Sequence, residues 1–154
     1  MSSRINFFKV APDAVQGLIA VEASIEKSGL EQRLIELVRA RASQINGCAY
    51  CIYMHVRDAV KHGESNMRIH LLDGWRESSL YTDRERAALS WTESLTRVAG
   101  TGAPDEDYEP LKRHFNEAEI AYLTVLIGTI NAWNRLAIGL RTAHPAEEHK
   151  SAAA

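Results

Sequence analysis

The sequence predicts an all-α fold, because apolar residues recur every three or four positions along most of the chain. Alternating runs of β-branched residues, which would indicate strands, are missing. The 154 residues are enough to bury a core, and they contain no internal repeat, low-complexity tract or linker. We therefore expect a single helical domain over residues 1–154, with a flexible tail from about His144 onward.

The helix boundaries follow from residues that favour starts and stops. Pro12 suits a first helical turn, and Asn46 and Gly47 both tolerate the positive φ that ends a helix. Thr82 with Glu85, and Asn116 with Glu119, have the spacing of capping boxes. The predicted helices cover residues 12–27, 31–45, 48–62, 65–72, 82–98 and 116–140.

The last predicted helix is apolar on nearly every side, from Ile120 to Leu140. A helix of this kind is normally covered all round by other parts of the protein. In a chain of this size a second subunit is a plausible cover, so the pattern favours a homo-oligomer.

Composition argues against two classes of partner. The net charge is -2 and the basic residues are scattered among acids, so we expect no nucleic acid and no anionic membrane surface as partner. No apolar stretch approaches the roughly 18 residues of a membrane span, and Met1 to Val10 lacks the apolar core of a signal peptide. We expect a cytoplasmic protein.

Only two cysteines are present, Cys48 and Cys51, and they are three residues apart. A disulfide that stabilises a fold usually closes a long loop, and this pair closes almost none. In a cytoplasmic chain such a pair therefore indicates redox or metal chemistry.

On a helix, Cys48, Cys51 and His55 lie on one face, and Cys48 falls at the start. Unpaired N–H groups and the helix dipole at that position favour a thiolate, as does a nearby histidine. A thiolate can attack the O–O bond of a peroxide, and the resulting sulfenic acid can condense with the second thiol. The spacing therefore supplies nucleophile, resolving thiol and base within two helical turns.

Other kinds of site share these residues. A c-type haem site would need histidine where Ile52 stands, and a thioredoxin-like site would need a strand before Cys48, where the pattern is helical. A zinc site made from both thiolates, His55 and a carboxylate remains open, as does an inert pair. The corresponding alternative functions are a general disulfide oxidoreductase and a non-enzymatic helical oligomer that binds zinc or senses redox state.

The motif resembles the alkylhydroperoxidase D and carboxymuconolactone decarboxylase superfamily. The residues that carry the resemblance are Glu36 followed by Cys48-x-x-Cys51-x-x-x-His55. It extends from about Ala11 to Ala143, and a peroxidase-related branch is indicated by Trp75, the stretch 81–89 and the stretch 130–135.

This resemblance implies a compact multi-helix bundle of the alkylhydroperoxidase D type that reduces alkyl hydroperoxides in antioxidant defence, without a cofactor or metal. Its implied partners are an unidentified thiol or dithiol reductant protein and further copies of the chain, in a dimer-based oligomer of up to six. Cys51 would be the peroxidatic thiol, Cys48 the resolving thiol, and His55 with Glu36 a proton relay. Alkylhydroperoxidase D has histidine where this chain has Tyr50.

Four polar residues have two interpretations. Helical angles place Glu36 with Arg33 and Arg39, away from the apolar stripe, which without the resemblance indicates a solvated charge. Tyr50, Asn131 and Asn134 are candidates for the wall of a substrate pocket. For the two asparagines a structural role is favoured, since buried amides usually serve packing.

Overall fold

The all-α prediction is confirmed. The computed structural model describes residues 3–145, which form nine α-helices and two 3-10 segments and contain no β-strand. The α-helices are α1 (Phe7–Val10), α2 (Pro12–Ile25), α3 (Gln32–Asn46), α4 (Ala49–Lys61), α5 (Asn66–His70), α6 (Asp83–Thr96), α7 (Val98–Thr101), α8 (Asp105–Tyr108) and α9 (Glu117–Leu140). The 3-10 segments are Leu72–Gly74 and Glu109–Arg113.

Helix α3 lies at the centre of the bundle and packs against α4, α6 and α9. Every residue from Leu34 to Ser43 is buried, although the stretch includes a glutamate and two arginines. These charged side chains pair with one another and with neighbouring helices, which makes their burial tolerable. Within the single chain, the helix that is buried on all sides is therefore α3. Its charged residues are paired inside the protein, so apolar composition alone does not identify it as a buried helix.

Helix α9 packs its apolar face on α3, α6 and α2, and Leu123, Leu126 and Ile127 belong to the main core. Two of its large apolar residues remain exposed in the single chain, Val125 at 44% and Ile138 at 46%. By length and composition alone, α9 is long and apolar enough to cross a membrane. The expectation that no apolar stretch approaches that length was therefore wrong for this helix. Its place in the core accounts for that composition.

The predicted helix starts are confirmed in detail. The Thr82 side chain accepts from the Glu85 N–H at the start of α6, and Asn116 accepts from Glu119 at the start of α9, each within a complete capping box. Gly47 ends α3 with a φ of 70°, in the left-handed region that glycine adopts without strain. This turn places the start of α4 immediately beside the end of α3.

The N-terminal segment is attached to the far end of α9. The backbone N–H of Arg4 donates to the Leu140 carbonyl at 2.9 Å, and its guanidinium donates to the Gly139 carbonyl at 2.9 Å. These bonds satisfy carbonyls that a helix C-terminus leaves free. Short helix α1 is thereby held next to Trp133, with the rings of Phe7 and Trp133 6.3 Å apart.

Most of the tail expected to be flexible, residues 146–154, lies outside the described residues. His144 and Pro145 are described, and the His144 ring stacks on Tyr53 with centroids 5.6 Å apart.

Replacing Asn116 by alanine should lower the free energy of unfolding by about 0.5–2 kcal/mol, because the first turn of α9 loses its side-chain acceptor. Urea denaturation monitored by circular dichroism measures the change. Asn116→Asp keeps the acceptor and is the matched control, expected near wild type. Equal stability of Asn116→Ala and wild type would contradict the role given to this cap.

Candidate active site

Cys48 and Cys51 form a disulfide at the start of α4, with Cα atoms 5.3 Å apart. Cys48, which was predicted to lie in the first turn of the helix, is the N-cap residue one position before it. Its Sγ accepts from the backbone N–H of Cys51 at 3.3 Å. Cys51 falls in the first turn, where free N–H groups stabilise negative charge. Both residues are buried, at 1% and 2% exposure, so the sulfur chemistry is confined to the spaces that adjoin them.

A cluster of buried amides supports the turn before the cysteines. The Asn46 side chain donates to the side-chain oxygens of Asn131 at 2.9 Å and Asn134 at 2.8 Å. Asn134 in turn donates to the Ser43 hydroxyl at 3.0 Å, which ties the end of α3 to α9.

The pocket role considered for Asn131 and Asn134 gains no support from these contacts. Their side chains face α3 and α6, and Asn131 also donates to Thr96 at 3.1 Å. Buried amide groups need several partners, and the polar end of α3 supplies them on this side of α9. The structural role favoured for both residues agrees with these contacts.

His55 follows Cys51 by one helical turn on the same face of α4, and both line one cavity. Its Nδ1 lies 2.9 Å from a carboxylate oxygen of Glu36, and both side chains are buried. Because an ionised carboxylate only accepts, Nδ1 donates to Glu36, and in the neutral form of the ring Nε2 is the acceptor nitrogen. The geometry brings Cys48, Cys51, His55 and Glu36 together as the motif spacing suggested.

The interpretation of Glu36 as a solvated charge was wrong, since the residue is only 3% exposed. Its carboxylate is held by His55 of α4 on one oxygen and by Arg39 of α3 on the other. Burial raises the pKa of Glu36, but the hydrogen bond and charge of His55, together with Arg39, outweigh it and hold the pKa below its usual value. Glu36 is therefore an ionised acceptor for His55 at neutral pH.

Arg39 connects this pair to helix α2. Its guanidinium donates to Glu36 at 2.7 Å, to Glu26 at 3.3 Å and also to Glu22. Burial lowers the pKa of Arg39, while the charges of Glu22, Glu36 and Glu26 more than compensate and raise it. Arg39 is thus a permanent buried cation that fixes the orientation of the Glu36 carboxylate.

A cavity of about 330 Å³ opens beside Cys51. Its lining includes a titratable set, Glu22, Glu36, Arg39, His55 and Asp58. Its lining also includes an apolar set, Phe7, Phe8, Ile19, Met54, Trp133 and Ala137. Tyr50 lines this cavity, in agreement with its candidacy as a pocket residue.

Sequence reasoning missed several cavity residues. Arg39 stands three positions after Glu36, so the i, i+3 spacing of opposite charges was a usable signal. The Trp133 indole N–H donates to Glu22 at 2.9 Å, although the two residues are 111 positions apart in the chain. Nothing in the local pattern indicates that such distant residues meet.

Among residues 3–145, no three His, Cys, Asp or Glu side chains converge in a way that could hold a metal ion. The geometry therefore gives no support to the zinc alternative.

The fold and the site together define a class of proteins. Its members are all-helical bundles with a cysteine pair at a helix start, beside a histidine–glutamate pair. Residues 12–94 match the carboxymuconolactone decarboxylase family. The uncharacterized protein YdfG of Bacillus subtilis is 36% identical over 140 residues, which cover 91% of this chain and 95% of that protein. The chain belongs to the carboxymuconolactone decarboxylase family.

Solved structures agree with this assignment. A protein of unknown function from Agrobacterium tumefaciens, provisionally assigned to antioxidant defence as AhpD, superimposes with a TM-score of 0.92 at 48% identity, covering 95% of this chain and all of that one. The debrominase Bmp8 superimposes with a TM-score of 0.81 at 18% identity, covering 90% of this chain and 75% of that one. At that identity the second likeness shows the fold alone.

Replacing Glu36 by glutamine should lower the free energy of unfolding by about 1–3 kcal/mol near neutral pH, because the buried carboxylate loses charge-assisted bonds to Arg39 and His55. Denaturant unfolding at several pH values measures the effect.

The pH dependence of this difference follows from the lowered pKa of Glu36. Its stabilising contribution is complete above the unfolded value of about 4.3 and is lost as pH falls through the lower folded value. The gap between wild type and variant should therefore narrow below about pH 4. Glu77→Gln, at an exposed position, is the control, and a gap independent of pH in acid would refute the assignment.

Proposed function

We propose that this protein is a thiol-dependent peroxidase that reduces organic hydroperoxides through Cys51 and Cys48. The observation that carries the proposal is the cavity that Cys51 shares with the His55–Glu36 pair, while Cys51 is bonded to Cys48. The chemistry needs a nucleophilic sulfur, a base, a second thiol and space for substrate. All four meet at the start of α4.

In the proposed reaction, His55 accepts the Cys51 proton and Glu36 stabilises the imidazolium. The Cys51 thiolate attacks the terminal OH oxygen of ROOH, the O–O bond breaks, and the imidazolium protonates the leaving alkoxide to give ROH. Cys51 is then a sulfenic acid. Cys48 loses its thiol proton and attacks the Cys51 sulfur, and the departing hydroxide takes up that proton and leaves as water. The disulfide remains until two electrons from an external thiol reductant reopen it.

The lining of the cavity supports an organic substrate. Phe7, Met54 and Trp133 offer apolar contact near Cys51, and burial of apolar surface contributes about 25 cal/mol per Å². Hydrogen peroxide offers no such surface. The proposed substrate class is therefore an alkyl or aryl hydroperoxide whose organic part fits the apolar wall.

A general disulfide oxidoreductase would use the same two cysteines. A folded protein substrate needs sulfurs that its own surface can reach, and here both cysteines are buried. Burial beside an apolar cavity favours a small peroxide as the oxidising substrate.

Cys51→Ser should abolish turnover of cumene hydroperoxide with dithiothreitol as reductant, because the attacking sulfur is gone. Without added thiol, Cys48→Ser should consume about one peroxide per chain and stop at the sulfenic acid, because no internal thiol is left to condense with it. Thiol counting and mass spectrometry after one equivalent of peroxide distinguish the two. A Cys51→Ser variant that keeps wild-type turnover would exclude Cys51 as the peroxidatic thiol.

Met54→Gln should raise KM for cumene hydroperoxide about fourfold, the effect of losing roughly one buried methylene group, and leave hydrogen peroxide kinetics unchanged. Met67→Gln, at a position 60% exposed, is the matched control. An equal effect on both peroxides would argue against apolar recognition in this cavity.

A further inference from the structure

The two cysteines face different openings. Cys51 lines the cavity with Glu36 and His55, whereas Cys48 lines a separate groove of about 440 Å³. This groove, which we call the Cys48 groove, lies between the start of α4 and the end of α9, and its wall includes Tyr50, Ala137, Arg141 and His144. Tyr50 and Ala137 line both spaces, so the disulfide lies in the partition between them.

The two openings also differ in charge. The cavity has three carboxylates, those of Glu22, Glu36 and Asp58, among its lining residues. The Cys48 groove has Arg141 and, among its described lining residues, no carboxylate. Carbonyls at the end of α9 also face this region, but Arg4 donates to those of Gly139 and Leu140 and offsets their negative charge.

Arg141 is exposed, and none of the ion pairs within residues 3–145 includes it. Its backbone adopts a φ of 57° at the end of α9, a left-handed conformation that is uncommon for arginine and fixes where the side chain leaves the helix.

We propose that the thiol reductant enters the Cys48 groove and attacks the sulfur of Cys48, and that Arg141 selects reductants with a negative charge beside their thiol. The inference rests on the proposed function, because it concerns the step that reopens the disulfide. Cys48 is only 1% exposed, so the thiol reaches it as a small molecule or at the end of an extended group.

The direction of attack determines which sulfur leaves. In thiol–disulfide exchange the attacking, central and leaving sulfurs are close to collinear, so approach from the Cys48 groove expels Cys51 toward the cavity. The reductant thiolate RS⁻ forms a bond to Cys48 Sγ, the Cys48–Cys51 bond breaks, and Cys51 leaves as a thiolate beside His55. A second RS⁻ then attacks the R-bonded sulfur, which releases RSSR and the Cys48 thiolate. Two thiols are oxidised and one disulfide is reduced.

Three small thiols test the charge selection without any peroxide: 3-mercaptopropionate, 2-mercaptoethanol and cysteamine. Stopped-flow reduction of the oxidised protein is compared with reduction of the neutral hydroxyethyl disulfide, which corrects for intrinsic thiol reactivity. The corrected rate should be highest for the anionic thiol. Arg141→Glu should lower that rate about fivefold or more, the factor that one unit charge about 4 Å away gives in water, and Arg141→Lys should restore it.

The matched control is Arg113→Glu, an exposed change of equal charge at the opposite end of α9. It should leave the order of the three thiols unchanged. An identical response to Arg113→Glu and Arg141→Glu, or equal corrected rates for all three thiols, would overturn the selection by Arg141.

The attacked sulfur is identified by quenching partial reduction with N-ethylmaleimide in acid and mapping the adducts by mass spectrometry. The expected intermediate has the reductant on Cys48 and the maleimide on Cys51, and the reverse labelling would overturn the inference. Neither readout needs peroxide turnover. Loss of peroxidase activity with intact labelling would count against the proposed function alone.

Discussion

The buried charge network of Glu36, Arg39 and His55 is the interaction on which the centre of this structure depends. Helix α3 is wrapped on all sides, yet it carries ionised residues on the face turned toward α2 and α4. An isolated charge in such a place would cost several kcal/mol, so each must have partners. Glu36 is held between His55 and Arg39, and Arg39 between Glu36 and the α2 carboxylates of Glu22 and Glu26.

This network joins packing to chemistry. The bond from His55 to Glu36 fixes the ring of His55 on α4 relative to α3, so the imidazole beside Cys51 is oriented by a residue that also holds the bundle together. Loss of the carboxylate would therefore disturb the fold and the site at once. The amide cluster of Asn46, Asn131 and Asn134 has the corresponding role on the other side of α3, where it fixes the turn before Cys48.

Much of the architecture could be predicted from the sequence, because helix periodicity and capping are local. Thr82 and Asn116 begin their helices as expected, and the CxxCxxxH spacing placed Cys51 and His55 on one face. Long-range contacts could not be read in this way. The burial of Glu36 depends on Arg39 and on α2, and the apolar wall of the cavity combines Phe7 with Trp133, which are 126 positions apart in the chain.

The attachment of the N-terminal segment has a practical consequence for work on this protein. Arg4 binds the end of α9, and the next few residues place Phe7 and Phe8 in the lining of the cavity beside Cys51. An affinity tag fused before Met1 would start only a few residues from these two side chains. Assays of the cavity are therefore better done on material from which such a fusion has been cleaved.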